Sequence, residues 1–162
     1  MILMDELLNL PDAAYLSRVI FRLGAAAVLG GLIGAEREYL GKSAGLRTHM
    51  TVALGCAAFV LIAIESTNDA ADLSRAIQGV AAGIGFIGAG AILKRTDKED
   101  IQGLTTAATL WLTAAVGVAA GAGKVWLGLI AVICAFVILT IMAGVGRWLH
   151  RKGPAPDPDG QI

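Results

Sequence analysis

Charged residues are scarce in this chain, and they are unevenly placed. Asp, Glu, Lys and Arg make up 16% of its 162 residues, whereas an ordinary soluble domain contains about 25%. Long uncharged stretches separate the charged clusters, and the formal net charge is zero. This balance gives no support to a nucleic-acid partner. We therefore interpret the clusters as loops and the uncharged stretches as membrane spans.

Cysteine and histidine, which build most metal sites and many nucleophiles, occur only twice each. Cys56 and Cys134 each lie inside an apolar stretch, where a packing role is expected instead of a disulfide or a metal site. His49 and His150 border apolar stretches, and we interpret His49 as an interfacial anchor. Because catalysis needs convergent groups, the sequence predicts no metal, no cofactor and no enzyme.

What the chain has in abundance is apolar length. Hydrophobic residues make up 56% of it, and the mean hydropathy is +0.71. A transmembrane helix needs about 20 apolar residues, and the period-2 alternation of a membrane β-barrel is not found. The sequence therefore predicts an all-α integral membrane protein, a bundle of about five transmembrane helices. The five spans run approximately over residues 19–35, 48–64, 76–93, 104–122 and 125–146.

The placement of Lys and Arg predicts the orientation of these spans. Nine of these residues lie in the loops after the first and third spans and in the C-terminal tail, and four lie on the opposite side. Since cytoplasmic loops carry the excess of positive charge, the N-terminus is expected outside and the C-terminus in the cytoplasm. We expect an interfacial segment over residues 1–17, a transmembrane domain over 18–147 and a disordered tail over 148–162.

Small residues indicate how the spans pack, because they let helix backbones approach closely in lipid. The third span places glycines on two opposite sides, which predicts a central helix packed on both faces. The fifth span is rich in large aliphatic residues and is expected outermost. In the third span, the glycines singled out as functional candidates are Gly83, Gly85, Gly88 and Gly90.

The fourth span carries a threonine-rich stripe that has two interpretations. Thr106, Thr109 and Thr113 share one face, with Thr105 beside them. Each hydroxyl can bond a carbonyl one turn back in its own helix, which makes the stripe a packing face. Alternatively, the hydroxyls line a polar path or bind a polar group of a partner.

Charges at the span ends also leave alternatives open. Glu36, Arg37 and Glu38 close the first span, and Arg47 and Thr48 open the second, so two charged motifs face each other across a short loop. They form either a solvated loop that orients the helices or a site for recognition or ion coupling built on Glu36, Arg37 and Arg47.

Arg22 lies deepest of the charges, near the start of the first span. We interpret it as snorkelling to headgroups, with an inward functional role as the alternative.

Four of these motifs together resemble the MgtC/SapB family of bacterial inner-membrane proteins, over about residues 18 to 146. In order, they are Gly30-Gly-Leu-Ile-Gly-Ala-Glu-Arg-Glu38, Ala44-Gly-Leu-Arg-Thr-His49, Gly83-Ile-Gly-Phe-Ile-Gly-Ala-Gly90 and Gly103-Leu-Thr-Thr-Ala-Ala-Thr-Leu-Trp111. The resemblance implies a location in the inner membrane. The best-known members also carry a soluble C-terminal domain, and Thr105 stands where the virulence-associated members have Asn.

The resemblance also implies a function. The best-known members of this family support growth at low magnesium and survival inside host cells, and they are thought to act by restraining the membrane-embedded ATP synthase. The resemblance therefore favours a regulatory protein that binds another membrane protein, such as the membrane sector of ATP synthase. It leaves open whether the protein forms a homo-oligomer.

The alternative function is a transporter or channel for magnesium or another cation. Magnesium prefers six oxygen ligands, and the predicted spans contain no Asp or Glu in their interiors. The regulatory function is therefore the first hypothesis from the sequence, and transport is the second.

Overall fold

The computed structural model of the protein describes residues 12–66, 69–94 and 101–152. Within this part of the chain, five helices follow the five apolar stretches, which confirms the predicted all-α architecture. A minimal antiparallel ribbon, β1 (Leu93–Lys94) with β2 (Ile101–Gln102), joins the third and fourth helices. The helices are α1 (Ala13–Tyr39), α2 (Leu46–Ser66), α3 (Ala70–Ala91), α4 (Leu104–Gly121) and α5 (Val125–Lys152).

Local sequence explains several of these boundaries. Asp69 caps α3, because its carboxylate accepts a hydrogen bond from the Ala71 amide at 2.9 Å, as preferred N-cap residues do. Gly103, just before α4, has a φ of +94°. A β-carbon there would overlap the Ala91 carbonyl oxygen, so the ribbon turns into α4 at a position that only glycine can occupy.

The protein is a multi-pass membrane protein. Four helices of the described chain are long and apolar enough to cross a bilayer, namely α1, α2, α4 and α5 from its start to Met142. The remaining helix, α3, carries Asp72 and Arg75 near its start. Its 22 residues span about 33 Å, close to the thickness of the hydrocarbon core.

The central helix is α4, and the prediction that the third helix is central was wrong. α4 contacts all four other helices, whereas α3 packs against α2 and α4 at the edge of the bundle. Only Ile84 and Gly88 of α3 are buried. The physical reason is that small residues permit close contact but do not impose it. α5 lies at the periphery beside α1 and α4, as expected.

Close backbone contact is concentrated on α2, which lies between two glycine pairs. On one side, a β-carbon added to Gly30 or Gly34 of α1 would lie within 2.8 Å of α2 atoms. On the other side, a β-carbon on Gly117 of α4 would overlap the Ala53 carbonyl oxygen, and one on Gly121 would lie 2.6 Å from that of Ala57. Both pairs have the Gly-x-x-x-Gly spacing that brings helices together in lipid.

Two helices extend across predicted domain boundaries. Helix α1 begins at Ala13, so the end of the predicted interfacial segment 1–17 is helical, and residues 1–11 lie outside the described residues. Helix α5 continues to Lys152, so the predicted disordered tail 148–162 begins with a helical turn. Residues 153–162 also lie outside the described residues.

Candidate functional site

Buried polar side chains gather where α1 ends and α2 and α4 begin, at the predicted cytoplasmic end of the bundle. Arg37, His49, Thr106 and Thr109 are each no more than 4% exposed. We refer to these four residues and Glu36 as the inner polar cluster. Gly34 allows the end of α1 to approach the start of α2, because a β-carbon there would lie 2.8 Å from the Leu46 Cα. Arg37 follows Gly34 by less than one helical turn.

The charged half of the inner polar cluster is an ion pair between neighbours. The Arg37 Nε donates to Glu36 Oε2 at 2.5 Å, and its Nη2 donates to Glu36 Oε1 at 2.6 Å. The Arg37 side chain is 4% exposed, and the Glu36 side chain is 20% exposed. Because guanidinium stays charged in proteins and an unpaired buried charge is costly, Glu36 makes the burial of Arg37 tolerable.

The two charged motifs meet across the loop through Glu38, and not through an ion pair of Arg47. The Glu38 carboxylate accepts a hydrogen bond from the Leu46 amide at 2.8 Å, which caps the start of α2. Arg47 is exposed and Thr48 is half-buried. Among the described residues, the predicted trio of Glu36, Arg37 and Arg47 is therefore joined only at its first two members.

The neutral half of the cluster links α2 to α4 through His49. Its Nδ1 lies 2.9 Å from the Gly45 carbonyl oxygen, and since a carbonyl only accepts, we assign the proton to Nδ1. Its Nε2 lies 3.4 Å from Thr109 Oγ1. This hydroxyl donates its one proton to the Thr106 carbonyl at 2.9 Å, so the contact of Nε2 with Oγ1 is a close approach without a shared proton. The imidazole of His49 therefore turns its Nε2 edge toward α4.

The interpretation of His49 as an interfacial anchor was wrong, because its side chain is fully buried. Residues at i, i+4 and i+8 share a helix face, and this spacing places His49 in line with Ala53 and Ala57, against which α4 packs. That register was visible in the sequence and could have identified His49 as an interior residue.

The threonine stripe of α4 is a packing face, as the first of its two interpretations predicts. Thr109 and Thr113 each donate to a carbonyl of their own helix, at 2.9 and 2.8 Å, which confirms that part of the prediction. Thr106 is 3% exposed, whereas Thr105 is exposed and off the stripe. Thr109 also approaches His49, a contact that the sequence analysis did not anticipate.

Arg22 lies at the opposite end of the bundle, where its guanidinium reaches the turn between α4 and α5. Its Nη1 donates to the Gly121 carbonyl at 3.2 Å. The final carbonyls of a helix lack partners within the helix and attract cations. Arg22 of α1 therefore fixes the C-terminal end of α4.

Most glycines of α3 have no neighbour in the described chain. A β-carbon added to Gly83, Gly85 or Gly90 would have nothing within 4 Å, whereas one on Gly88 would lie 3.7 Å from the Ala107 Cβ. Of the four glycine candidates, only Gly88 thus forms a helix contact. One exposed face of α3 is formed by Ala82, Gly85 and Ala89 at spacings of three and four, and we refer to these three residues as the outer face of α3.

No group of three or more His, Cys, Asp or Glu side chains that could hold a metal ion is found among the described residues.

Comparison with known proteins identifies relatives over most of the chain. The model of the MgtC family matches residues 23–148. Protein SrpB of Synechococcus elongatus is 44% identical over 159 residues, which cover 88% of this chain and 85% of that protein. No solved structure matches the chain.

Two further relatives are longer than the region they share with this chain. The putative magnesium transporter YhiD of Escherichia coli K12 is 41% identical over 129 residues, which cover 75% of this chain and 59% of that protein. Protein MgtC of Brucella abortus strain 2308 is 48% identical over 103 residues, which cover 64% of this chain and 42% of that protein.

Proposed function

This chain belongs to the MgtC family, and we propose that it is a non-enzymatic regulatory protein of the bacterial inner membrane. In this proposal it binds another membrane protein and contributes to adaptation to low magnesium or acid stress. The membrane sector of ATP synthase is the partner that its family resemblance favours. The observation that carries the proposal is the exposed outer face of α3.

The outer face of α3 suits a helix-to-helix contact. Its three residues are small and exposed, and a β-carbon on Gly85 would meet no atom within 4 Å. In lipid, apolar surface alone does not drive helices together, and association depends on close packing between backbones. A helix that shows its smallest residues to the bilayer is therefore suited to receive a second helix.

The packing around α4 supports the same proposal. α4 holds α1, α2 and α5 through buried glycine, alanine and threonine residues, so the fold does not require the outer face of α3 for its own packing. Changes on that face should alter binding without unfolding the protein.

The proposal predicts that enlarging the outer face abolishes partner capture. We expect the double variant Gly85→Leu and Ala89→Leu to lose at least tenfold in recovered partner, because two isobutyl groups keep the backbones apart. The measurement is affinity purification of the tagged full chain from native membranes in mild detergent, with quantification of co-purified membrane proteins.

The double variant Thr140→Leu and Gly144→Leu is the matched control. Both residues are exposed on α5 and have the same spacing, so this variant should recover the partner at the level of the unmodified chain. Recovery of only further copies of this chain, or equal recovery by both variants, would contradict the proposal.

A second candidate function is cation transport, which the name of the relative YhiD favours, since it is called a putative magnesium transporter. Liposomes that contain only the purified chain distinguish the two functions. Magnesium uptake that follows protein content would support transport. Absence of magnesium uptake would support regulation. The preparation must then match the captured protein in helical content and monodispersity.

A further inference from the structure

A groove of about 760 Å³ runs between α2 and α3. It is open along its length, because Gly79, Gly83 and Phe59 on its walls are exposed. Added β-carbons on the three glycines of its walls would meet nothing within 4 Å, so glycine creates this space. The residues that carry the argument are Thr51, Gly55 and Phe59 of α2 and Gly79, Gly83 and Ile87 of α3.

The chemistry of the walls selects an apolar occupant. Among the described lining residues, the one hydroxyl belongs to Thr51, and it is already bonded to the carbonyls of Arg47 and Thr48 at 2.9 and 3.0 Å. Ordered water needs two or more polar partners, which these walls do not offer. The groove therefore suits a hydrocarbon chain.

The positive charge of α2 lies beyond the Thr51 end of the groove and outside its described lining. Arg47 lies one turn before Thr51 on α2, on nearly the same side of the helix, and its side chain is exposed. At 1.5 Å per residue, the groove walls at Thr51 and Phe59 lie about 6 and 18 Å along α2 from Arg47. One leaflet contributes about 15 Å of the hydrocarbon core, so the groove matches the depth of a single leaflet.

We propose that this groove binds one phospholipid from the leaflet in which α2 begins. An acyl chain lies between α2 and α3, and the lipid phosphate pairs with the Arg47 guanidinium. Arginine suits this role because its planar donors match phosphate oxygens. The lipid site faces the α2 side of α3 and is separate from the outer face, so it stands whether or not the partner proposal holds.

Photolabelling tests this site directly. The full chain is placed in nanodiscs of phosphatidylethanolamine and phosphatidylglycerol, with a fraction of phosphatidylglycerol that carries a diazirine midway along one acyl chain. After irradiation, mass spectrometry locates the label. The expected result is label concentrated within residues 51–59 and 76–87.

Filling the groove should remove this label. The double variant Gly55→Leu and Gly83→Leu puts side chains into open space and should retain the fold while lowering the label in both segments at least fivefold. Arg47→Gln should lower it about fivefold, the size expected for one basic residue at an anionic surface. Lys42→Gln is the control, because it removes an exposed charge from the same end but outside the groove stripe.

Two results would overturn the proposal. One is label spread evenly over all exposed helices and unchanged by Gly55→Leu with Gly83→Leu. The other is absence of label from residues 51–59 and 76–87 while other exposed helices are labelled, which would show that no acyl chain occupies the groove. Neither result depends on partner capture through Gly85, so the two proposals fail separately.

Discussion

Gly117→Ala should destabilise the protein more than any other single methyl addition in the transmembrane part of the described bundle. The new β-carbon would overlap the Ala53 carbonyl oxygen and lie 2.9 Å from the Ala53 Cα. These are backbone atoms, so no side chain can rotate away, and α4 must separate from α2. Overpacking usually costs 1–3 kcal/mol, and we expect about 3 kcal/mol or more here. Equilibrium unfolding of the purified protein in mixed dodecylmaltoside and SDS micelles measures this loss.

Gly79→Ala is the matched control for this experiment. Gly79 also lies inside a helix, but a β-carbon there would meet nothing within 4 Å. Alanine is the better helix former by about 0.5–1 kcal/mol, so this variant should be as stable as the unmodified protein or slightly more stable. Equal stability of Gly117→Ala and Gly79→Ala would contradict the close contact of α4 with α2.

Glu36→Gln should have the second large effect. The change leaves the Arg37 guanidinium, 3% exposed, with an amide in place of its carboxylate partner. Removing one partner of a buried ion pair costs about 3–5 kcal/mol, because the remaining charge is uncompensated. The same unfolding measurement should therefore show a loss of about 3 kcal/mol, since Glu36 itself is partly exposed.

Glu38→Gln provides the comparison, because it makes the same chemical change two residues later. Glu38 is exposed, and its described contact is the hydrogen bond to the Leu46 amide. Glutamine keeps an oxygen that can accept this hydrogen bond, so Glu38→Gln should cost less than the roughly 1 kcal/mol of losing a whole cap. If Glu36→Gln cost no more than Glu38→Gln, the buried ion pair would not contribute to stability as the structure indicates.

The sequence was sufficient to predict the helices, because the bilayer imposes a length and a polarity that can be counted along the chain. The α4 helix, Leu104–Gly121, differs from its predicted span by one residue at its end. The Gly-x-x-x-Gly spacing of α1 can also be read along the chain. Each of these predictions depends on the spacing of residues within one helix.

The sequence was not sufficient to predict which helix is central. Gly83 and Gly117 are both small residues in helical registers, and only the structure shows that Gly117 contacts α2 while Gly83 remains open. Which glycine faces become interior depends on all the neighbouring helices at once. His49 was misinterpreted for a related reason, since its position at a predicted span end outweighed its alignment with Ala53.

In the regulatory proposal, this difference between the helices separates the residues that stabilise the bundle from those that bind the partner. Buried glycines of α1 and α4 hold α2 in place, and the exposed glycines of α3 remain available. One helix of the family domain thus faces the membrane with surface that its own fold does not use. The regulatory proposal rests on that division between α4 and α3.

Site-specific photo-crosslinking along α3 tests this division most directly. A benzophenone amino acid is placed singly at Gly85, on the outer face, or at the adjacent Ile84, which is 5% exposed, and the cells are irradiated before lysis. The account predicts a cross-link to a different membrane protein from position 85 and an internal cross-link from position 84. A cross-link to another protein from position 84 alone, or from neither position, would contradict it.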